Sequence, residues 1–457
     1  MRRWLVCGLC VLGLIRGSSA MAELPKPTGE TIVAPDAKLE LVFTRSAPIK
    51  GGLTEGPTAA PDGSIFFSDI PFGSDKGMIM RFDPQTMKTT VFTDNSYKSN
   101  GLKFDAMGRL FACEGSDEGG RAVSRWDVKT KSRTVVADKY MGKRFNAPND
   151  CWIDAKGRIY FSDPRYLGTE TRELKERAVY RIDTDGTVVE ITHEVAKPNG
   201  LALSPDFKTL YLADHDNGTD EIKPNDPKKY DLGPMKIYAF PLGDDGLVNG
   251  PRKTLVDFGA EPGCDGMTVD QMGHIYLTPR RLSKPGVLVI DPTGKEVAFI
   301  PTGEAQPADT KAPKGIPSNV TFGKGKDANM LYITVDVSLY RIPLKVKGER
   351  LFSVADRLRA PIEVVEFRRQ MLYKAVEEVS MKSGVAFKIE GNDLKNVGIT
   401  QNMHVDFKLE DAPATAILDK MLTKLGLVIH VDDVTGIAHV TSPQAAKNRG
   451  WTTFPLN

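Results

Sequence analysis

The chain has 457 residues, 61 Lys and Arg against 59 Asp and Glu, a formal charge of +2, and 40% hydrophobic and 26% charged residues. This is ordinary globular composition, and the near-balance of charge argues against a nucleic-acid binder, whose phosphate contacts demand a basic excess. The length allows about three average domains, but all-β architectures often use about 200 residues or more on one, so repeats decide the domain count.

At the N-terminus, Arg2 and Arg3 precede an apolar run from Trp4 to Ile15, with small residues around Ala20 and Ala22. That is the shape of a secretory signal over residues 1–22. The run is too short to span a bilayer and no later segment approaches the length required. The expectation is an exported mature chain, periplasmic or secreted, with no membrane span. Cys7 and Cys10 fall within the signal. Cys113, Cys151 and Cys264 are odd in number and far apart, which is no disulfide framework, so they read as structural thiols.

The next elements repeat. EGPTAAPDGSIFFSD (55–69), NGLKFDAMGRLFACE (100–114), NDCWIDAKGRIYFSD (149–163), NGLALSPDFKTLYLAD (199–214), DGMTVDQMGHIYLTP (265–279) and NVTFGKGKDANMLYIT (319–334) share one plan: polar opener, strand, tight turn, strand. Asp62-Gly63, Met107-Gly108, Lys156-Gly157 and Met272-Gly273 sit where hairpins need a positive φ. Two further strand-like runs follow in each of the first three copies, as in Met78 to Asp83 and Thr89 to Thr93. Four strands per unit, about fifty residues apart, predict an all-β, six-bladed β-propeller over residues 23–345. The last copy lacks a fourth strand, and Lys38 to Thr44 is a strand without a blade. Pairing them would close the ring.

Beyond a charged connection at 346–359, AVEEVSMKSG and ATAILDKMLTKLG have helical spacing of apolar residues. VAFKIE, VDFKLED, LVIHVD and AHVTS read as strands, which predicts a small α/β domain over residues 360–445.

In a propeller the openers Glu55, Asn100, Asn149, Asn199, Asp265 and Asn319 meet at the central channel, and all six carry oxygen donors. Asn or Asp before Gly is a common turn former, but carboxylates gathered on one axis repel and desolvate badly without a counter-charge. A cation resolves that conflict. The hard-oxygen set suits calcium, with magnesium or manganese fitting less well, and lacks the thiolate or imidazole of structural zinc. Glu55 and Asp265 would balance a divalent charge. The six histidines do not group with the openers in the sequence. Returning loops at Ser116 to Ala122, Pro164 to Arg177 and His215 to Pro234 are expected to rim the mouth and select the substrate.

Glu55-Gly56-Pro57, Pro148-Asn149-Asp150, Pro198-Asn199-Gly200-Leu201, Cys264-Asp265-Gly266 and Asn319 to Gly323 resemble, in order, the motifs of the senescence marker protein, gluconolactonase and luciferin-regenerating enzyme family of six-bladed propellers. The resemblance covers residues 38–345. It implies a divalent cation (Ca2+, or another such as Zn2+, Mn2+ or Mg2+) held by Glu55, Asn149, Asn199 and Asp265, and hydrolysis of a cyclic ester such as a sugar lactone. By the same resemblance, Asp265 is the general base or water-activating group, and Asn100, Glu114 and Asn319 line the substrate pocket. Animal members carry an arginine two positions before the residue matching Asn149, where this chain has Ala147, which implies a different sugar. The segment 360–445 resembles the short N-terminal domains of secretins and TonB-type receptors, implying an envelope protein partner.

Lactone opening develops negative charge on the carbonyl oxygen, which a Lewis-acidic cation stabilises. The expectation is therefore a divalent-metal-dependent, gluconolactonase-like hydrolase acting on a small-molecule lactone. The competing reading is a non-catalytic, calcium-stabilised propeller that docks a ligand or protein.

Overall fold

The computed structural model describes residues 24–46, 52–71, 75–105, 108–219, 232–349, 354–432 and 437–456. The signal expected at 1–22, Met107 and most of the insertion between His215 and Pro234 lie outside them.

Alternation of apolar residues around glycine turns drives the local structure. Gly63 and Gly273 adopt φ of 85° and 89°, a region that costs a residue with a Cβ, and each closes a hairpin. Among the described residues, six antiparallel four-stranded sheets follow one another. They open with the strands Leu53–Ala59, Ser99–Phe104, Cys151–Ile153, Pro198–Leu203, Cys264–Val269 and Pro317–Phe322. In the first five sheets the strands pair in chain order. The sixth takes its outer strand from the other end of the sequence: Glu40–Thr44 pairs antiparallel with Ser338–Pro343, Glu40 opposite Arg341 and Thr44 opposite Ser338. This is the closure expected for Lys38 to Thr44. The opening strands contact one another in a cycle, the sixth touching the first.

Apolar layers between successive sheets hold the cycle together. Phe66 of the first sheet lies edge-on to Phe92 and to Phe104 of the second, 5.2 Å from each ring. Tyr276 of the fifth meets Phe322 of the sixth at 5.1 Å and 88°. Such edge contacts add about 0.5–1.5 kcal/mol each beyond area burial. Cys113, Cys151 and Cys264 are buried free thiols, and burial pushes the Cys113 and Cys264 thiols up.

The C-terminal stretch has its own core, built on Leu358, Leu372, Val379, Leu418, Ile429 and Val440. The expected helices form as Leu372–Ser383 and Ala414–Leu422. The expected strands are Ala386–Ile389, His404–Pro413, Val428–Asp432 and Ile437–Thr441. Short helices Gly391–Lys395 and Pro443–Asn448 were not expected, nor were two elements at the start of this stretch. Strand Pro361–Met371 pairs with His404–Pro413, and a register shift between Phe367 and Gln370, with Arg369 at φ 49°, breaks the alternation that would have revealed it. Helix Val354–Arg359 falls in the supposed connection at 346–359 and buries Val354 and Leu358 in the C-terminal core. Phe454 and Leu456 pack on the same core, beyond residue 445.

This stretch meets the turn of the third sheet. Gly384, at φ 68°, caps helix Leu372–Ser383, and a Cβ there would run into the Lys156 carbonyl. Thr184 donates to the Met381 carbonyl at 3.1 Å beside it. Among the described residues no helix is long and apolar enough to cross a membrane.

Candidate active site

Five of the six openers lie at a local irregularity of their strands, and Asn149 stands just ahead of its strand Cys151–Ile153. Register shifts fall between Glu55 and Thr58, Ser99 and Leu102, Pro198 and Leu201, Cys264 and Met267, and Pro317 and Asn319. Such bulges leave a residue out of the ladder and re-aim its side chain. The freed backbone carbonyls are met by hydroxyls: Ser68 donates to the Asn100 carbonyl at 2.7 Å, and Thr278 reaches the carbonyls of Gly266 at 2.8 Å and Ser318 at 2.7 Å. The glycine after the opener lets adjacent strands close on the axis. A Cβ on Gly56, Gly101, Gly200 or Gly266 would collide with Asn100, Asp150, Asp265 or Asn319 of the neighbouring copy.

Glu55, Asn100, Asn149, Asn199 and Asp265 line one cavity of about 670 Å³. The structure therefore brings together the four residues implied as cation ligands, and Asn100 with them. Asn319 is not on the cavity wall. Its Nδ2 donates to Asp150 Oδ2 at 3.2 Å and its Oδ1 accepts from the Val320 N–H at 2.8 Å, so both ends of its amide are engaged below the cavity floor.

Glu114 does not line the cavity either. It is buried in an ion pair with Arg133, whose Nε donates to Oε1 at 2.6 Å, and Arg133 stacks over Tyr97. Its repeat equivalents explain why. Asp163 accepts from the Asn146 and Ala147 N–H groups at 2.7 Å each, Asp214 from Lys197 N–H at 2.8 Å, and Asp69 from Arg45 Nε at 2.8 Å. A carboxylate at the end of the second strand ties down a neighbouring segment, and Glu114, like Asp69 with Arg45 in the first copy, does so through an arginine.

The electrostatics centre on Glu55. Burial, then the nearby Asp265, hold its carboxyl well above the usual range, against one hydrogen bond from the Gly56 N–H at 2.9 Å. Burial likewise raises Asp150 to about 6, opposed by hydrogen bonds from Asn319 and the Cys151 N–H. Asp265 has a cationic partner: Arg280 Nη1 lies 3.2 Å from Oδ2. Asn199 is oriented by Tyr166, whose hydroxyl accepts from Nδ2 at 2.9 Å and donates to the His215 carbonyl at 3.1 Å.

Asp150, Tyr166, His215 and Arg280 were not singled out from the sequence. Tyr166 and His215 lie on the loops expected to rim the mouth, and Asp150 follows an opener directly, so position alone could have flagged them. The separation of histidines from openers also needs correction. His215 lines the cavity, 6.2 Å from the Tyr166 ring, its Nδ1 buried without a partner and its ring kept neutral by burial.

Among the described residues no three His, Cys, Asp or Glu side chains gather as a metal cluster. A cation here would rest on the carboxylates of Glu55 and Asp265 completed by the amide oxygens of Asn149 and Asn199. That donor set fits a hard divalent ion. Two observations agree with the fit: Glu55 and Asp265 repel one another in a buried place, and Asn100 Oδ1 is buried without a hydrogen-bond partner.

Repeated four-stranded sheets, whose opening strands line a cavity walled by carboxylates and amides, define a mostly-β protein of propeller type. A family model described as the SMP-30/Gluconolactonase/LRE-like region matches residues 53–336, and the chain belongs to that family. It is 29% identical over 315 residues to a gluconolactonase of Zymomonas mobilis subsp. mobilis, covering 65% of this chain and 79% of the relative. Against a pentonolactonase of Haloferax volcanii the identity is 26% over 298 residues, covering 64% and 85%. A solved gluconolactonase from Xanthomonas campestris superposes with a TM-score of 0.55 at 26% identity, covering 71% of this chain and 96% of that one.

Proposed function

We propose that this protein is a lactone hydrolase, a six-bladed propeller that opens a cyclic carboxylic ester at its axial cavity with the help of a divalent cation, calcium by the chemistry of the donors. The observation that carries the reading is the gathering of Glu55, Asn149, Asn199 and Asp265 on one buried cavity, in a chain whose relatives are named as lactonases.

Asp265 is the general base in this reading. Arg280 engages Oδ2 of its carboxylate, which leaves Oδ1 to take a proton from water. The water oxygen bonds to the carbonyl carbon, the ring C–O bond breaks, and the proton held on Asp265 passes to the departing alkoxide oxygen, giving a hydroxy acid. A cation bound by Glu55, Asn149, Asn199 and Asp265 would supply Lewis-acid stabilisation of the carbonyl oxygen. Tyr166 holds the Asn199 amide in place, and Glu55, short of donors, has its charge compensated when the cation is present.

Two further parts of the reading rest on sequence. The Arg2-Arg3 and apolar pattern supports export to the periplasm or beyond, and the C-terminal core supports a second, α/β module, whose attachment to an envelope protein rests on the sequence resemblance alone. The test of the activity is the purified chain stripped with chelator and supplied in turn with calcium, zinc, manganese or magnesium against a panel of lactones. Hydrolysis should vanish on stripping and return with the cation. Equal rates with and without chelator overturn the metal dependence, and cation binding with no turnover of any lactone overturns the enzyme.

A further inference from the structure

The cavity wall differs sharply from its floor. Around the openers the surface is polar, but above them it is built from Leu53, Ile70, Pro71, Ala147, Pro148 and Leu167. Leu53 and Ile70 are cross-strand partners in the first sheet, and Leu53 stands two residues before Glu55 on the same face of its strand, one step of about 7 Å toward the mouth. Ala147 and Pro148 come from the third sheet's approach to Asn149, and Leu167, 41% exposed, from the loop that follows. The apolar atoms thus face the cavity from at least two sides.

The polar side chains among them are largely engaged by the protein, His215 Nδ1 excepted. Lys98 Nζ bonds Asp117 at 3.0 Å, Ser116 Oγ donates to the Leu167 carbonyl, and the Tyr166 hydroxyl joins Asn199 to the His215 carbonyl. Asn217 Oδ1 accepts from Lys197 at 3.0 Å and Thr219 at 2.7 Å. A polyhydroxylated ring entering here would lose water from several hydroxyls and find few free partners above the floor, a costly exchange. An alkyl or aryl group would instead cover apolar wall and release water from both surfaces.

We infer that the preferred ester carries an apolar substituent, alkyl or aryl, that lies against Leu53, Ile70 and Leu167 while the ring carbonyl sits on the polar floor. This rests on the lactonase reading for the ring and adds the class of substituent.

The experiment compares three six-membered lactones on the cation-loaded enzyme: unsubstituted δ-valerolactone, its butyl homologue δ-nonalactone, and δ-gluconolactone, each rate divided by its rate of hydroxide hydrolysis. The expected kcat/KM is highest for δ-nonalactone, rising about fourfold for each methylene buried. Leu53→Asn and Leu167→Asn should each shrink the δ-nonalactone to δ-valerolactone ratio at least about threefold. A preference for δ-gluconolactone, or equal rates on the first two lactones, overturns the inference while leaving the lactonase reading intact. If no lactone turns over, calorimetry with the non-hydrolysable lactams of the same three rings decides: tighter binding of the butyl lactam keeps the apolar site and discards the lactonase, and tighter or equal binding of gluconolactam overturns the inference.

Discussion

Arg280 and Asp265 share a hydrogen bond of 3.2 Å, Nη1 to Oδ2, on the wall of the axial cavity. Arg280 also reaches the Pro317 carbonyl at 3.4 Å, so one guanidinium ties the fifth opener to the approach of the sixth. In this position it holds the Asp265 carboxylate in a fixed orientation.

Asp265→Asn keeps the shape of that contact and removes the base. We expect kcat to fall about a thousandfold, within the range that a general base contributes, with the near-ultraviolet circular dichroism unchanged. Activity within about tenfold of the parent would take Asp265 out of the proton transfer.

Glu55→Gln tests the buried charge from the other side. The carboxyl is held well above its usual range by burial and by Asp265, so the neutral amide relieves a cost that the cation otherwise offsets. The cation-free variant is expected to melt higher than cation-free parent, to show less than half of the parent's rise in Tm on adding calcium, and to lose hydrolysis. A variant that melts lower without the cation, yet gains as much from it as the parent, contradicts this account of Glu55.

Glu114→Ala separates a structural carboxylate from a substrate contact. Glu114 is fully buried against Arg133, and removing one partner of a buried pair costs about 3 kcal/mol. The expected outcome is a large loss in denaturant midpoint with KM for the lactone unchanged in the folded protein. A raised KM at unaltered stability would return Glu114 to the pocket.

The contrast between Glu114 and Asp265 shows what the sequence could reveal. The repeat was legible because every copy places a polar opener, a turn and two strands in the same order, and closure by Glu40–Thr44 followed from counting strands. Glu114 was misplaced because its position in the repeat, equivalent to Asp69, Asp163 and Asp214, was not used: carboxylates at that position serve neighbouring segments. The contacts of Arg280 and Tyr166 were illegible for a different reason, although Tyr166 falls in a loop expected at the mouth. Both residues lie on connections between strands, where no periodicity fixes direction, and only the folded ring brings them to Asp265 and Asn199. In the C-terminal unit the two longer helices, Leu372–Ser383 and Ala414–Leu422, showed through their 3.6-residue spacing, while strand Pro361–Met371 hid behind the irregularity at Phe367 to Gln370.

Gly200 carries the last prediction, because it tests whether the openers are held close by glycine. Asn199-Gly200 looks like an ordinary turn pair, yet Gly200 lies within strand Pro198–Leu203, and a Cβ there would strike the Asp265 carbonyl and the Gly266 backbone of the next sheet. No flexible side chain is available to yield, so Gly200→Ala must push the fourth and fifth opening strands apart. Overpacking of this kind costs about 1–3 kcal/mol, and displacement of Asn199 from Asp265 should weaken any cation they share. We expect a lower Tm and calcium affinity reduced at least about tenfold in isothermal titration. Gly63→Ala supplies the comparison: it too carries a backbone penalty, at φ 85°, but its Cβ would meet nothing within 4 Å, and calcium affinity should match the parent. Equal calcium affinity in the two variants would show that the spacing of the opening strands does not govern the site.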